Sequence, residues 1–183
     1  MDTFLGFDVC IPRVVLYGSV ILLIVALIVV QKNKKRLKDY KKFIASLILA
    51  EFLFLILGIT VIFRSSVGYY RFYIKPYFNY QEIFETNNYY DVWEIYLNIA
   101  LFIPIGFVLN YIYGVAKLKK CLLTCVCISL SIEILQLLLQ KGLCETNDVL
   151  HNTLGAVIGM AVFMVIFIVK QKIKLIKIWK NVR

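Results

Sequence analysis

The sequence predicts an all-α, polytopic transmembrane helix bundle of five spans, with the N-terminus outside and the C-terminus inside. Of the 183 residues, 61% are hydrophobic, whereas soluble domains average about 45–50%. A helix needs about 20 mostly apolar residues to cross the hydrocarbon core. Five runs approach or exceed that length, namely Val14–Val30, Phe43–Phe63, Val92–Tyr113, Cys121–Leu139 and Thr153–Val169.

The basic residues set the predicted orientation, because they divide unequally between the two ends of the spans. Sixteen of the 21 fall in alternate connections: Lys32, Lys34, Lys35, Arg36, Lys38, Lys41, Lys42, Lys117, Lys119, Lys120, Lys170, Lys172, Lys174, Lys177, Lys180 and Arg183. The opposite ends carry only Arg13, Arg64, Arg71, Lys75 and Lys141. The positive-inside rule makes the richer side cytoplasmic. We therefore predict a multi-pass protein of the cell membrane.

The net charge of +10 is better explained by topology than by nucleic-acid binding. A nucleic-acid footprint would concentrate basic residues on one folded face, whereas here they flank apolar spans. Anionic lipid headgroups are the expected partners of these clusters. The first span is expected to remain as a membrane helix, because Asp2 and Asp8 stand where a signal peptide would have a basic region.

Polar residues interrupt the third, fourth and fifth spans at their outer ends, which predicts a functional region there. They form three stripes with helical spacing: Asp91, Glu94 and Asn98; Ser129, Glu133, Gln136 and Gln140; and Asn152, Gly155 and Gly159. Glu133 precedes Gln140 by seven residues, which places it about 10 Å below the outer helix end. An ionisable group at such depth is costly, by roughly 2.5–3.5 kcal/mol on insertion scales, and usually has a function.

Two interpretations of this polar region stay open at this stage. It is either a functional pocket or a buried network that locks three helices together, since interhelical hydrogen bonds in membranes average about 0.6 kcal/mol. His151, beside Asp148 before the fifth run, suits helix capping and acid–base chemistry equally. Gly155 and Gly159 form a G-x-x-x-G pair that lets a neighbouring helix approach closely, and the polar face of the fourth span is one candidate neighbour.

The long outer connection, Arg64–Asp91, is rich in aromatic residues. It contains Tyr69, Tyr70, Phe72, Tyr73, Tyr77, Phe78, Tyr80, Phe84, Tyr89 and Tyr90, and Trp93 follows directly. Such rings favour the membrane interface, and they could also contact a sugar or an acyl chain. Cys10 and Cys144 both lie on the outer side, where a disulfide is possible in an oxidising space. With a single His, a zinc site of the His/Cys type is not expected.

Three segments together resemble the VanZ-like family of bacterial integral membrane proteins. They are Asn98–Gly106 (NIALFIPIG), Ser131–Gln136 (SIEILQ) and Asp148–Gly159 (DVLHNTLGAVIG), and Arg64 is similar to a basic residue that many members carry. The resemblance covers about 43–169, so residues 1–42 become an N-terminal helix with a basic loop and residues 170–183 a basic tail. One departure is Lys141-Gly142, where many members have an arginine shortly before the acidic turn.

The resemblance implies a cell-envelope role, with low-level resistance to the glycopeptide antibiotic teicoplanin as the property of the family's namesake. We consider three functions: a non-enzymatic envelope protein that contacts a lipoglycopeptide, an enzyme acting on a lipid-linked cell-wall precursor, and a small proton-coupled transporter. For the enzyme, Glu133, Asp148 and His151 are the candidate acid–base residues. The candidate binding residues are Arg64, Glu94, Asn98, Gln136 and Asn152. No cofactor or metal is predicted, and the oligomeric state is left open.

Overall fold

The predicted helical bundle is confirmed by the structure, a computed structural model. It describes residues 13–33, 39–64, 89–141 and 144–181, together with residues 35, 66, 68, 70, 72 and 73. The five helices are α1 (Arg13–Asn33), α2 (Tyr40–Leu57), α3 (Tyr89–Tyr113), α4 (Leu118–Leu138) and α5 (Thr146–Asn181). Two short strands, β1 (Phe72–Tyr73) and β2 (Cys144–Glu145), pair in parallel beside them.

Among the described residues, four helices are long and apolar enough to cross a membrane. These segments are Tyr40–Ile62, Val92–Tyr113, Val115–Leu138 and Thr146–Asn181. The described apolar part of α1, Tyr17–Asn33, is shorter and packs beside α2. The fold thus agrees with the apolar runs in the sequence, and the orientation assigned from the basic residues stays a prediction.

The connections between helices follow from local backbone chemistry. A π-helical turn, Gly58–Ile62, extends α2, and the N–H of Phe63 donates to the carbonyl of Gly58 at 2.9 Å. Gly114 ends α3 with a φ of +87°, a conformation that glycine adopts without steric cost. A three-residue 3₁₀ turn, Val115–Lys117, then leads into α4. Because this link is so short, α3 and α4 are antiparallel neighbours.

The closest helix packing joins α3 to α5 along the glycine seam, which we define as Ile99 and Ile103 of α3 against Gly155 and Gly159 of α5. A Cβ on Gly155 would overlap the carbonyl of Ile99, and one on Gly159 would overlap that of Ile103. Both positions advance by four residues together, so the two helices run parallel. The suggestion that α4 is the neighbour of this pair is wrong, because the spacing predicts a close approach without specifying the partner helix.

The end of α4 differs from the sequence interpretation. The helix ends at Leu138, and Gln140 has a φ of 51° in a turn. The N–H of Gln140 donates to the carbonyl of Leu137 at 3.1 Å, and that of Lys141 donates to the carbonyl of Gln136 at 2.8 Å. These two bonds form a Schellman motif, which satisfies carbonyls that a helix end leaves open. Gln140 is therefore a capping residue and lies off the polar stripe of α4.

The start of α5 also differs, because the helix begins at Thr146 instead of near Thr153. Asp148, His151 and Asn152 consequently lie within its first two turns. Hydropathy averaged along the sequence counts these polar residues against a membrane span, so the helix was predicted to begin after them. In the fold, neighbouring helices shield their side chains. His151 and Asn152 are buried, and Asp148 is partly buried.

The core lies where α3, α4 and α5 meet, and it holds fully buried Phe102, Ile105, Cys121, Cys125 and Ala156. The two cysteines therefore behave as small buried groups. Cys10, the side chain of Cys144 and most of the aromatic connection lie outside the described residues. Of that connection and its flank, Tyr70 and Trp93 are exposed.

Candidate functional site

Glu133 is the most deeply placed carboxylate of the predicted polar region. Its side chain is only 3% exposed, and its Oε2 accepts a hydrogen bond from the backbone N–H of Glu145 at 3.2 Å. It lies five residues before the end of α4, which corresponds to about 7.5 Å along the helix. The residue is therefore buried on α4 and joined directly to the strand that leads into α5.

Four other ionisable side chains lie within electrostatic range of this carboxyl group. Glu133 interacts electrostatically with Glu145, Glu94 and Arg64. Asp148 interacts with the same three residues and with Glu133. We call Arg64, Glu94, Glu133, Glu145 and Asp148 the acidic cluster; it contains four carboxyl groups and one guanidinium. Its members come from five parts of the fold, namely the segment after α2, then α3, α4, β2 and α5.

Two buried amides hold the helices around the acidic cluster. Gln136 is one turn after Glu133 on α4, and its Nε2 donates to the backbone carbonyl of Thr60 at 3.2 Å. Asn152 of α5 donates through Nδ2 to Oγ of Ser129 on α4 at 2.9 Å. Gln136 therefore ties α4 to the π-helical turn after α2, and Asn152 ties α5 to α4.

Several polar atoms at this end of the bundle are buried without a hydrogen-bond partner among the described residues. They include Oε1 of Gln136, Oδ1 of Asn147 and Nδ2 of Asn98. Gln136 and Asn147 are only 5% and 3% exposed. Buried polar atoms nearly always find a partner, so each unpaired one requires a specific explanation, such as a bound group or water.

The chain after α2 closes over the ends of α4 and α5. Lys141 donates through Nζ to the backbone carbonyl of Arg64 at 2.6 Å, and Ser66 donates through Oγ to the carbonyl of Gln140 at 3.2 Å. The pairing of β1 with β2 continues this contact. The backbone that positions Arg64 is thus attached to the cap of α4.

The structure brings together most of the residues singled out in the sequence. Arg64, Glu94, Glu133 and Asp148 belong to the acidic cluster, whereas Gln136 and Asn152 bond to neighbouring helices. His151 is 5% exposed on α5, one turn after Asp148. Asn98 is half-buried on α3, one turn after Glu94. The side chain of Asp91 lies outside the described residues, and the functional roles of all these groups stay predictions.

Sequence reasoning missed Glu145 and Thr60. Glu145 belongs to the acidic turn CETND, but no helical spacing relates it to Glu133, and its backbone N–H carries no sequence signal. Thr60 contributes only a backbone carbonyl, which becomes available in a π-helical turn. Within the described part of the chain, no group of three or more His, Cys, Asp or Glu side chains is arranged to hold a metal ion.

Comparison with known proteins identifies one family. Neither the curated proteins nor the solved structures include a match to this chain. A model of the family described as VanZ/LLP1 matches residues 20–168. The match takes in most of α1 and the segments in which the sequence resemblance was found. Because it covers well over half of the sequence, this membrane protein belongs to the VanZ/LLP1 family.

Proposed function

We propose that this protein acts in the bacterial cell envelope and lowers sensitivity to teicoplanin-type glycopeptides through the acidic cluster, facing the outer leaflet. The observation that carries the proposal is the position of Glu133, which is 3% exposed on a membrane-spanning helix and surrounded by other carboxyl groups. Such placement opposes stability, because burial and like charges both disfavour an ionised carboxylate. A group retained at that cost is best explained by chemistry with a ligand.

The helix-locking alternative is weaker, because other residues already join these helices. Asn152 with Ser129 links α5 to α4, and Gln136 links α4 to the turn after α2. The glycine seam joins α3 to α5 without any polar side chain. Four carboxyl groups in one place add mutual repulsion to this arrangement, so locking does not account for them.

The resistance experiment compares three versions of the protein in a glycopeptide-sensitive bacterial host. The wild-type chain should raise the minimum inhibitory concentration of teicoplanin, and Glu133→Gln should abolish the increase at equal membrane abundance. Glu51→Gln is the matched control, because Glu51 is a partly buried carboxylate in α2 outside the acidic cluster. An unchanged inhibitory concentration with the wild-type chain would refute the resistance role. Full resistance with Glu133→Gln would exclude chemistry by the carboxylate.

The outer-leaflet location is tested by labelling. Tyr70 lies in the connection between α2 and α3 and is 68% exposed, so a cysteine placed there should be accessible. In Tyr70→Cys, a membrane-impermeant thiol reagent should add label from outside the cell beyond that on the parent chain's own cysteines. If the additional label appeared only after the reagent was given access to the cytoplasmic side, the predicted orientation would be wrong.

A second candidate is an enzyme that modifies a lipid-linked envelope substrate. The observation favouring it is the buried His151 one turn after Asp148, which itself interacts with Glu133. In that reaction the carboxyl groups and the imidazole would exchange protons with the substrate. The two candidate functions are distinguished by incubating radiolabelled cell-wall lipid precursors with purified wild-type protein or with the Glu133→Gln variant. Turnover by the wild-type protein alone supports the enzyme, and its absence at full teicoplanin resistance supports the non-enzymatic protein.

A further inference from the structure

The polarity of the acidic cluster indicates which kind of ligand it accepts. Four carboxyl groups face one guanidinium, and the nearby ammonium of Lys141 is directed at the carbonyl of Arg64. We propose that the cluster binds a primary ammonium group carried by an amphiphilic molecule. This inference rests on the site proposed above and adds the chemical class of its ligand.

The unpaired buried atoms support this assignment independently of the charges. Oε1 of Gln136 and Oδ1 of Asn147 are acceptors without a donor among the described residues. Gln136 follows Glu133 by one turn of α4, and Asn147 lies between Glu145 and Asp148 in the chain, so both buried residues belong to the segments that carry the cluster. An ammonium offers three N–H donors and no acceptor, which complements these two acceptors, whereas the unpaired Nδ2 of Asn98 is itself a donor.

Other ligand classes fit less well. A phosphate or a carboxylate would add acceptors and negative charge to a region that already has an excess of both. Calcium and magnesium prefer six or more oxygen ligands in defined geometry. The described side chains contain no such arrangement of three acidic, His or Cys groups. Donor complementarity and charge therefore favour an amine over anions and divalent cations.

The depth of Glu133 explains why the ligand must be amphiphilic. The carboxyl group belongs to a residue about 7.5 Å below the end of α4, and the same stretch of that helix exposes apolar side chains such as Ile134 and Leu138. An amine that reaches this depth carries its apolar part along the lipid-facing surface. The ammonium belongs either to a free amphiphile or to the headgroup of an aminolipid. In both cases the acidic cluster would recognise the same ammonium group.

The experiment measures thermal unfolding of the full-length protein in phosphatidylcholine nanodiscs, whose quaternary headgroups have no N–H donors. Near-saturating n-decylamine should raise the unfolding midpoint of the wild-type protein by about 5 °C. The alcohol 1-decanol and the anion decanoate should give no comparable rise. Replacing the lipid with phosphatidylethanolamine should raise the midpoint and remove the further effect of decylamine if the headgroup is the ligand. An undiminished decylamine shift in that lipid assigns the site to free amphiphiles.

Three variants decide whether the cluster is responsible. Glu133→Gln and Glu94→Gln should each weaken the apparent affinity for decylamine at least about tenfold, whereas Glu51→Gln should leave it unchanged. Glu94 is only half-buried, so its variant remains informative if Glu133→Gln folds poorly. Equal stabilisation by 1-decanol, no shift with any amine, or undiminished affinity in both cluster variants would overturn the inference.

The proposed resistance role can fail separately from this one. The protein could bind decylamine through Glu133 and yet have no effect on teicoplanin sensitivity. That result would refute the resistance role, and the assignment of a primary ammonium as the ligand would stand. Resistance that requires Glu133, in a protein without amine binding, would overturn the ligand class alone.

Discussion

The two faces of α5 pack against their neighbouring helices through different kinds of contact. Towards α3, Gly155 and Gly159 remove their side chains so that the helix backbones touch. Towards α4, Asn152 reaches Ser129 through a buried hydrogen bond, and Asp148 extends the contact into the acidic cluster. The first face gains dispersion contacts without polar groups, whereas the second buries polar groups that are costly in a membrane.

This difference separates residues that stabilise the protein from residues that are suited to bind something. At the glycine seam, the two backbones are so close that even a Cβ would overlap the facing carbonyl. Beside the acidic cluster, Gln136 and Asn147 retain acceptor atoms without a partner among the described residues. We therefore expect substitutions in the seam to affect folding, and those in the cluster to affect function.

The largest effect on stability is expected from Gly159→Val. The added side chain would collide with the backbone around Ile103, which cannot move as a flexible side chain could. Overpacking a core typically costs about 1–3 kcal/mol and occasionally more. The yield of monodisperse protein and its thermal unfolding midpoint should both fall.

Gly18→Val is the matched control for this substitution. Gly18 lies in α1, and a Cβ built there has no neighbour within 4 Å. Its unfolding midpoint should stay close to that of the wild-type protein. If Gly159→Val were equally well tolerated, α3 and α5 would not be in backbone contact.

A smaller effect is expected at the polar face, where Asn152 donates to Ser129. Asn152→Ala removes this bond and should lower the free energy of unfolding by about 0.6 kcal/mol, with about 1.7 kcal/mol as the upper end for such bonds. A double-mutant cycle with Ser129→Ala isolates the pairwise contribution. A coupling energy of zero would show that the two side chains do not interact.

The smallest effect on stability is expected from Glu133→Gln, the substitution with the largest proposed effect on function. The amide oxygen of Gln can still accept the N–H of Glu145, and the substitution removes a buried ionisable group from a set of carboxyl groups. We expect no loss of unfolding free energy in detergent or nanodiscs. A marked destabilisation would instead assign Glu133 to the structural framework.

The sequence predicted the helical architecture well, because long apolar runs and alternating basic connections are direct signals of membrane spans. It also singled out Glu133 and Gln136 inside an apolar run and Asp148 and Asn152 just before the next one, and the functional roles of these residues stay predictions. It misplaced the start of α5 because burial by neighbouring helices does not affect the hydropathy of a linear window.

Three other differences have equally specific causes. Gln140 adopts a left-handed backbone at the cap of α4, a role more often filled by glycine. The helix that contacts Gly155 and Gly159 depends on tertiary packing, which spacing alone does not encode. Glu145 contributes a backbone N–H and Thr60 a backbone carbonyl. Every residue other than proline has both groups, so residue type does not indicate which of them will bond to a side chain.

The length of α5 has a mechanical consequence. Its 36 residues correspond to about 54 Å of continuous helix, and they contain no proline between Thr146 and Asn181. The hydrocarbon core is only about 30 Å thick, so the helix forms a rod that extends beyond it. A tilt of about 5° pivoting at Asp148 would displace the lysine-rich end, about 50 Å away, by roughly 4 Å. Any displacement of the first turns of α5 would therefore also move the lysine side chains at the far end of the same helix.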